Sequence, residues 1–392
     1  MKKVFFLIDG LADSFKNSPL KLAKKDFIDS KLKDSFLGYI IPTPKKYWKS
    51  KSNEASISGI ATLSLLGYEK FDDFKRGPYE AIGNDIFYKN GWLAIRIDFA
   101  TVDKNLKVLD RRAGRSNYGL KELVKAINRI KFDLPFKLYH TTGHRGVLIF
   151  KKKLSEKISD SDPYENNKKV KKIKALKKDR LSIYTAEILQ KFLDETHKIL
   201  DNHKINLERE KRNIPKANYL LTRQAGNKIL KFKNFFKKNK IKNGVLISEK
   251  GVVYGVCKTV GFKLDYLNEA KDIKEELRFA KDKIFKNYKK FELVLIHLKK
   301  GDEAGHDKDF NKKKKFFEEF DKFLKDVYKY IKDSKIIITG DHITDVRVGK
   351  HMYGPVPILI INSKLKNNPK EFSEEESLKY KRIKNIWEFL ND

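Results

Sequence analysis

Short apolar runs recur along this chain, and each stops abruptly at a polar residue. KVFFLI near the N-terminus ends at Asp9-Gly10, FELVLIHL (291–298) ends at KKGDEAGHD, SKIIIT (334–339) runs into Gly340-Asp341-His342, and VPILII follows Pro355. Runs this short and continuously apolar predict strands of a sheet covered on both faces. Other segments carry a helical period. FFEEFDKFLKDVYKYI is amphipathic, and LSIYTAEILQKFLDETHKIL places Ile188, Leu189, Phe192, Leu193, Ile199 and Leu200 on one face. Strands alternating with such segments predict an α/β fold with a largely parallel sheet flanked by helices.

The two ends of the chain are expected to share that sheet, as one core built from residues 1–70 and 215–392. Residues 71–214 differ in character and predict an inserted, smaller α/β domain. They carry GPYEAIG, DRRAGR and the strand-like GVLIF, then a lysine-dense stretch over 151–180 that predicts a surface excursion. NIPKANYLLTRQAG reads as the return to strand. No repeat of solenoid length is present.

At 392 residues the chain is long enough for about two domains. Its 87 Lys+Arg against 52 Asp+Glu give a net charge of +35, which attracts phosphorylated metabolites, nucleic acid or anionic membrane alike and equally describes a solvated lysine surface. The single Cys257 rules out an internal disulfide and fits a cytoplasmic location. VFFLI is too short for a signal peptide, and no apolar stretch reaches the ~20 residues that span a bilayer, so no membrane partner is expected.

The strand ends carry the chemistry. Asp9 follows the first strand. Asp302 and His306, four apart after Gly301, would point the same way from one helical turn. Asp341 and His342 follow a third strand, and His351 lies nine residues beyond. Oxygen and nitrogen ligands of this kind suit Mn²⁺, Zn²⁺ or similar ions, in number enough for two. His140, His144, His197, His203 and His297 fall outside this set. Two metals with an alcohol nucleophile form a usual apparatus for phosphoryl transfer. NEASISGIATLSLLGY offers Ser56 or Ser58 at a helix start, where free N–H groups would meet phosphate. A rival of another class is a non-catalytic basic protein binding a polyanion, with KFKNFFKKNK interleaving aromatic and basic residues for stacking on single strands.

IDGLAD, SLLGY, RGPYEAIG, FATVD, DRRAGR, HRGVLIF, NYLLTRQAG, KKGDEAGHD, TGDHIT and HMYGPVP occur in an order that resembles the archaeal-type 2,3-bisphosphoglycerate-independent phosphoglycerate mutases of the alkaline phosphatase superfamily. The resemblance covers nearly the whole chain. It implies an alkaline-phosphatase-like core and a glycolytic isomerase that interconverts 3- and 2-phosphoglycerate through a phosphoserine. It also implies two divalent ions, Mn²⁺ first, with Zn²⁺, Co²⁺ or Mg²⁺ as alternatives. Carried across, Asp9, Ser58, Asp341 and His342 would hold one ion, and Asp302, His306 and His351 the other. The chain departs from the family after the nucleophile, where an acidic residue and, three positions further on, a His are replaced by Gly59 and Thr62. Ser58 is preferred over Ser56 because it keeps the spacing to SLLGY.

The inserted domain should bind the substrate, a small phosphorylated hydroxy acid whose carboxylate and phosphate Arg clamps bidentately. Arg111, Arg112 and Arg115 of DRRAGR, and Arg145 beside His144, are the leading candidates, followed by Arg223 and Lys250. Asp160 and Asp162 in SDSDP either position substrate hydroxyls or cap a turn. A phosphatase or phosphotransferase of the same superfamily, acting on another small phosphate ester, is the alternative activity, since the metals specify only phosphoryl chemistry.

Overall fold

Every apolar run named above forms a strand. In the computed structural model, which describes residues 1–48, 57–69 and 71–391, the strands in chain order are β1 (Lys3–Ile8), β2 (Ser35–Ile40), β3 (Trp92–Val102), β4 (Val108–Asp110), β5 (Phe136–His140), β6 (Arg145–Lys153) and β7 (Tyr219–Gly226). They continue with β8 (Gly244–Ser248), β9 (Lys263–Tyr266), β10 (Leu293–Leu298), β11 (Lys335–Gly340), β12 (Ile343–Asp345), β13 (Lys350–Met352) and β14 (Val356–Ile361). The helices that matter below are α1 (Ile57–Leu65), α2 (Arg76–Gly83), α3 (Arg180–Asp201), α4 (Lys204–Lys211), α5 (Ile273–Tyr288), α6 (Lys300–His306) and α7 (Phe310–Ile331). The chain divides into two units, Met1–Phe71 with Lys231–Asp392, and Asp72–Leu230.

The first unit is built on a seven-stranded sheet in the order β2-β14-β11-β1-β10-β8-β9. The five strands from β11 to β9 run parallel, and at one edge β14 pairs antiparallel with both β11 and β2. Both faces are covered, as the continuous apolar runs predict. Phe6 meets Phe320 and Phe323 of α7 edge-on at 5.5 and 5.9 Å, while its neighbour Phe5, on the opposite face, lies 6.1 Å from Trp387. The indole of Trp387 donates to the Leu65 carbonyl and ties α1 to that face. Register is what matters for function. Ile8 pairs with both Leu298 and Gly340, so β1, β10 and β11 end level and the residues that follow emerge side by side.

KFKNFFKKNK belongs to this unit and offers no stacking surface. Phe235 and Phe236 are buried against Phe262, and Phe232 packs on Tyr68. Among the described residues no helix is long and apolar enough to cross a membrane.

In the second unit β3 is central, flanked antiparallel by β6 and β7; β5 lies outside β6, and β4 pairs antiparallel with the C-terminal end of β3. α3 buries the predicted face, with Phe192 at 4.8 Å from Phe136 and 5.4 Å from Phe150; Ile199 is only half-buried. The expected return to the core at 215 lies later, after Leu230. The reason is β7. It reads as a strand from sequence, but its partner is β3, so NYLLTRQAG completes the inserted sheet. The lysine-dense 151–180 stretch exposes most of its lysines while burying Ser161, Asp162, Ile158 and Ile173.

Candidate active site

Asp9 leaves the end of β1 with its N–H bonded to Leu298 O, and Gly10 N donates to Asp341 Oδ1 at 3.1 Å. Gly10 has φ +61°, and a Cβ there would stand 2.5 Å from Thr344 Oγ1 and 2.7 Å from Asp302 Oδ1, so only glycine lets the strand ends close together. α6 begins immediately after β10. Its first N–H groups, from Lys299 and Lys300, donate to the carboxylate of Glu276 on α5 at 2.7 and 3.2 Å. One turn along α6, Asp302 and His306 face the same way, with Nε2 3.4 Å from Oδ2. His351 is delivered by the β12–β13 hairpin, opposite Thr344.

These side chains aim acceptors at one another. His306 Nε2 lies 3.0 Å from His351 Nε2, and His351 Nε2 lies 3.5 Å from Asp302 Oδ1. His342 Nε2 is 3.1 Å from Asp9 Oδ1 and 3.4 Å from Asp341 Oδ2. The other ring nitrogens fix the tautomers. His306 Nδ1 donates to Gly349 O at 2.9 Å, since a carbonyl only accepts. Thr344 Oγ1 donates to Asp302 Oδ1 at 2.5 Å and therefore accepts from His342 Nδ1 at 3.2 Å. The Nε2 atoms of both rings are left as lone pairs facing carboxylates. Asp9 Oδ1, Asp341 Oδ2 and the Nε2 atoms of His342 and His297 are buried without a hydrogen-bond partner. Ligand bonds of about 2.0–2.2 Å place neighbouring donor atoms roughly 3–3.6 Å apart, so this donor set fits divalent ions of the transition-metal type.

Electrostatics agree. Burial and then Asp9 push the Asp341 carboxyl well above its ordinary range. Burial also opposes ionisation of Asp302, but His306, His351 and His342 hold it well below the usual carboxylate range. Asp9 is lowered too, against burial and Asp302, by His342 and His297. Burial, then His342, lowers His351. A crowd of carboxylates and imidazoles is a site for a cation.

The sequence reading missed His297. It is the penultimate residue of β10, buried, with Nε2 3.6 Å from Asp9 Oδ2, and burial pulls it down to about 4 against the charge of Asp9. Ser248 Oγ donates to Glu249 O at 3.0 Å and lies 3.3 Å from His297 Nδ1. One donor atom each from Asp9, His297 and Asp341 falls within 4.8 Å of the others, as does one each from Asp302, His342 and His351. The grouping by proximity thus overlaps the expected division of ligands without coinciding with it. A histidine inside LVLIHL, five residues before Asp302 on the same strand end, was the available signal.

Ser58 is the second residue of α1 and is half-buried. Thr62, at the place of the family's His, is buried and turns its hydroxyl back to Ser58 O at 2.7 Å. Ser56 lies outside the described residues.

The second unit gathers a positive cluster. Arg96 and Asp98 share one face of β3, Arg145 pairs opposite Asp98, and Arg223 opposite Arg96. Asp98, fully buried, lies 2.5 Å from Arg223 Nη2, 3.4 Å from Arg96 Nη2 and 3.8 Å from His144 Nε2. Asp162 takes the Arg111 fork at 2.9 and 2.8 Å, Arg223 Nε, and Tyr164 N at 2.7 Å. Arg76 Nε pairs with Glu80 at 2.6 Å. Arg112 and Arg145 have no acidic partner among the described residues. Among the described residues, Arg76, Arg96, Arg111, Arg145 and Arg223 thus gather around the carboxylates of Glu80, Asp98 and Asp162, with Arg112 and Arg115 beside them. Burial, then Arg115 and Arg145, pulls Arg112 down to about 10, and burial, then Arg76, pulls Arg96 to about 9. His144 falls to about 3 through burial, with the neighbouring arginines adding to it. Such a cluster wants an anion.

The whole chain has relatives. The family described as 2,3-bisphosphoglycerate-independent phosphoglycerate mutase matches residues 50–206. The 2,3-bisphosphoglycerate-independent phosphoglycerate mutase 1 of Methanocaldococcus jannaschii is 34% identical over 95% of this chain and 91% of its own length. The chain belongs to this family of isomerases. The mutase of Methanococcus vannielii is also 34% identical, over 100% of this chain and 98% of its own. Among solved structures, the PH0037 protein of Pyrococcus horikoshii superposes with TM-score 0.73 at 25% identity over 96% of this chain and 92% of that one. The cofactor-independent phosphoglycerate mutase of Thermoplasma acidophilum shares the fold, with TM-score 0.59 at 24% identity over 100% and 99%.

Within this mutase-family fold, the substrate candidates separate. Asp160 accepts from Gln224 N at 2.8 Å and Tyr164 OH at 2.5 Å. Both SDSDP carboxylates are thus engaged by the fold, Asp162 as an anchor for Arg111 and Arg223. Lys250 belongs to the other unit, its ammonium 5.4 Å from the centre of the Tyr266 ring. Arg96 and Asp98, not singled out beforehand, were legible as two charged residues two apart in the apolar strand LAIRIDFATV.

Proposed function

We propose that this member of the mutase family interconverts 3- and 2-phosphoglycerate through a phosphoserine on Ser58, with two divalent ions. Asp9, Ser58, Asp341 and His342 would hold one and Asp302, His306 and His351 the other, with His297 beside Oδ2 of Asp9. When bound, the ions would lower the pKa of the serine hydroxyl and neutralise the phosphate oxygens. The observation that carries the reading is the set of carboxylate oxygens and imidazole Nε2 atoms held 3.0–3.6 Å apart.

In the forward direction the Ser58 Oγ–P bond forms and the P–O3 bond of phosphoglycerate breaks, the serine proton ending on the new glycerate hydroxyl. Arg112 and Arg145, which have no acidic partner among the described residues, hold the anionic glycerate while it turns. The 2-hydroxyl then takes the phosphoryl group back and Ser58 recovers its proton. Arg111 and Arg223 are anchored on Asp162. Gly59 and Thr62 favour a second reading, phosphatase action on a small phosphate ester, because the family's acid and His are absent beside the nucleophile. Phosphorus NMR of metal-loaded protein with 3-phosphoglycerate tests both: a new 2-phosphoglycerate resonance supports the mutase, inorganic phosphate alone supports the phosphatase, and an unchanged spectrum refutes both.

A further inference from the structure

Arg209 is fully buried on α4, yet no acid pairs with it among the described residues. Its guanidinium is spent on three backbone carbonyls: Nη2 on Ala113 at 2.7 Å, Nη1 on Tyr118 at 2.5 Å, and Nε on Pro215 at 2.8 Å. Ala113 opens an unusual turn. Ala113, Gly114 and Arg115 have φ of +43°, +68° and +56°, a left-handed run that L residues disfavour. From the other side Asp110 accepts Arg112 N at 2.8 Å and Gly114 N at 2.7 Å. The segment is pressed onto α4 and its sequel, since a Cβ on Gly114 would stand 2.8 Å from Pro215 Cδ and one on Gly119 2.2 Å from Ile205 Cγ2. Arg112 and Arg115 bracket this run.

We infer that Arg209 is a positioning residue: it holds the 113–115 turn in its left-handed form and so aims Arg112 at the anionic substrate. The inference rests on the mutase reading for the identity of that substrate. A buried guanidinium is the side chain for this task, because its planar fork reaches three carbonyls at once and a lysine ammonium on one flexible stem does not.

The test compares wild type, Arg209→Lys, Arg112→Ala and the double variant. Lysine keeps the charge, so the variant folds, but the fork is lost. Hydrogen exchange across residues 110–119 should quicken about tenfold or more while exchange in β3 stays as it was. KM for 3-phosphoglycerate should rise about tenfold, the value of one charge-assisted bond, with a smaller change in kcat. Because Arg209 acts through Arg112, the double variant should bind no more weakly than Arg112→Ala alone. Unchanged exchange over 110–119 overturns the inference, and so does additive weakening in the double variant. If wild type binds no 3-phosphoglycerate, the mutase reading has failed along with the ligand this strut serves, and the exchange data still decide whether Arg209 holds the turn.

Discussion

The hydroxyl of Thr344 donates to Asp302 Oδ1 at 2.5 Å while its oxygen receives His342 Nδ1 at 3.2 Å. One threonine thereby orients a carboxylate and an imidazole from two different strand ends. Thr344→Val keeps the shape, removes both bonds and frees the His342 tautomer. Partners of this kind typically change metal affinity about 10- to 100-fold. Titration with Mn²⁺ or Zn²⁺ should show a loss of that order; wild-type affinity in the valine variant would show that Thr344 does not organise the ligands.

Chelation should abolish turnover, and Mn²⁺, Co²⁺ or Zn²⁺ should restore at least part of it. Removing the ions leaves Asp9, Asp302 and Asp341 crowded with nothing between them, so the apo protein should also melt at lower temperature. Full activity in protein proved metal-free by elemental analysis would defeat the two-ion reading.

The clustering of Asp9, Asp302, His306, Asp341, His342 and His351 was largely legible in the sequence because it follows from topology: parallel strands end level, so a polar residue after each apolar run becomes a neighbour of the others. His297 was not legible in that way. An imidazole inside an apolar strand reads as a core residue until the partner of its Nε2 is known. The same logic hid the boundary at 230, since β7 announces itself as a strand but not as a partner of β3. In DRRAGR the sequence does not distinguish Arg111, tied to Asp162, from Arg112, which is tied to no acid among the described residues, because that difference lies in contacts 51 residues apart.

Ser58→Ala should reduce turnover by about a thousand-fold or more, because no other group can carry the phosphoryl group between the two hydroxyls. Ser56→Ala should keep most activity. Mass spectrometry of acid-quenched enzyme locates the phosphate; its appearance on Ser56 would reassign the nucleophile.

Glu276 gives the fold a pH dependence with a defined sign. Burial raises its carboxyl to about 8, against the two N–H donors of Lys299 and Lys300. The folded state therefore holds a proton that the unfolded chain releases near pH 4.5. Stability from this group is complete below that value and is lost as pH rises towards 8. Glu276→Gln cannot titrate, so its melting temperature relative to wild type should climb from pH 5 to pH 9. A constant offset between the two proteins would mean that Glu276 is ionised throughout.

Arg111 and Arg112 are adjacent in sequence and should respond oppositely to truncation. Arg111 forks onto the buried Asp162, so Arg111→Ala strands a buried carboxylate and should destabilise the protein by about 3 kcal/mol, less whatever Arg223 recovers. Arg112 has no acid partner among the described residues and is crowded by Arg115 and Arg145, so Arg112→Ala relieves repulsion and should leave the melting temperature unchanged or slightly raised. Its cost falls on function. A mutase must retain glycerate while the phosphoserine waits, and losing one charge-assisted bond, worth roughly 1.5–3 kcal/mol, should speed glycerate escape about ten- to a hundred-fold. Escape leaves a phosphoserine that only water discharges, so the ratio of inorganic phosphate to 2-phosphoglycerate should rise. Measuring that ratio beside the melting temperature separates the two arginines. An Arg112→Ala protein that isomerises like wild type without added phosphate release would remove this residue from the substrate site, and a destabilised one would show that it has a structural partner instead.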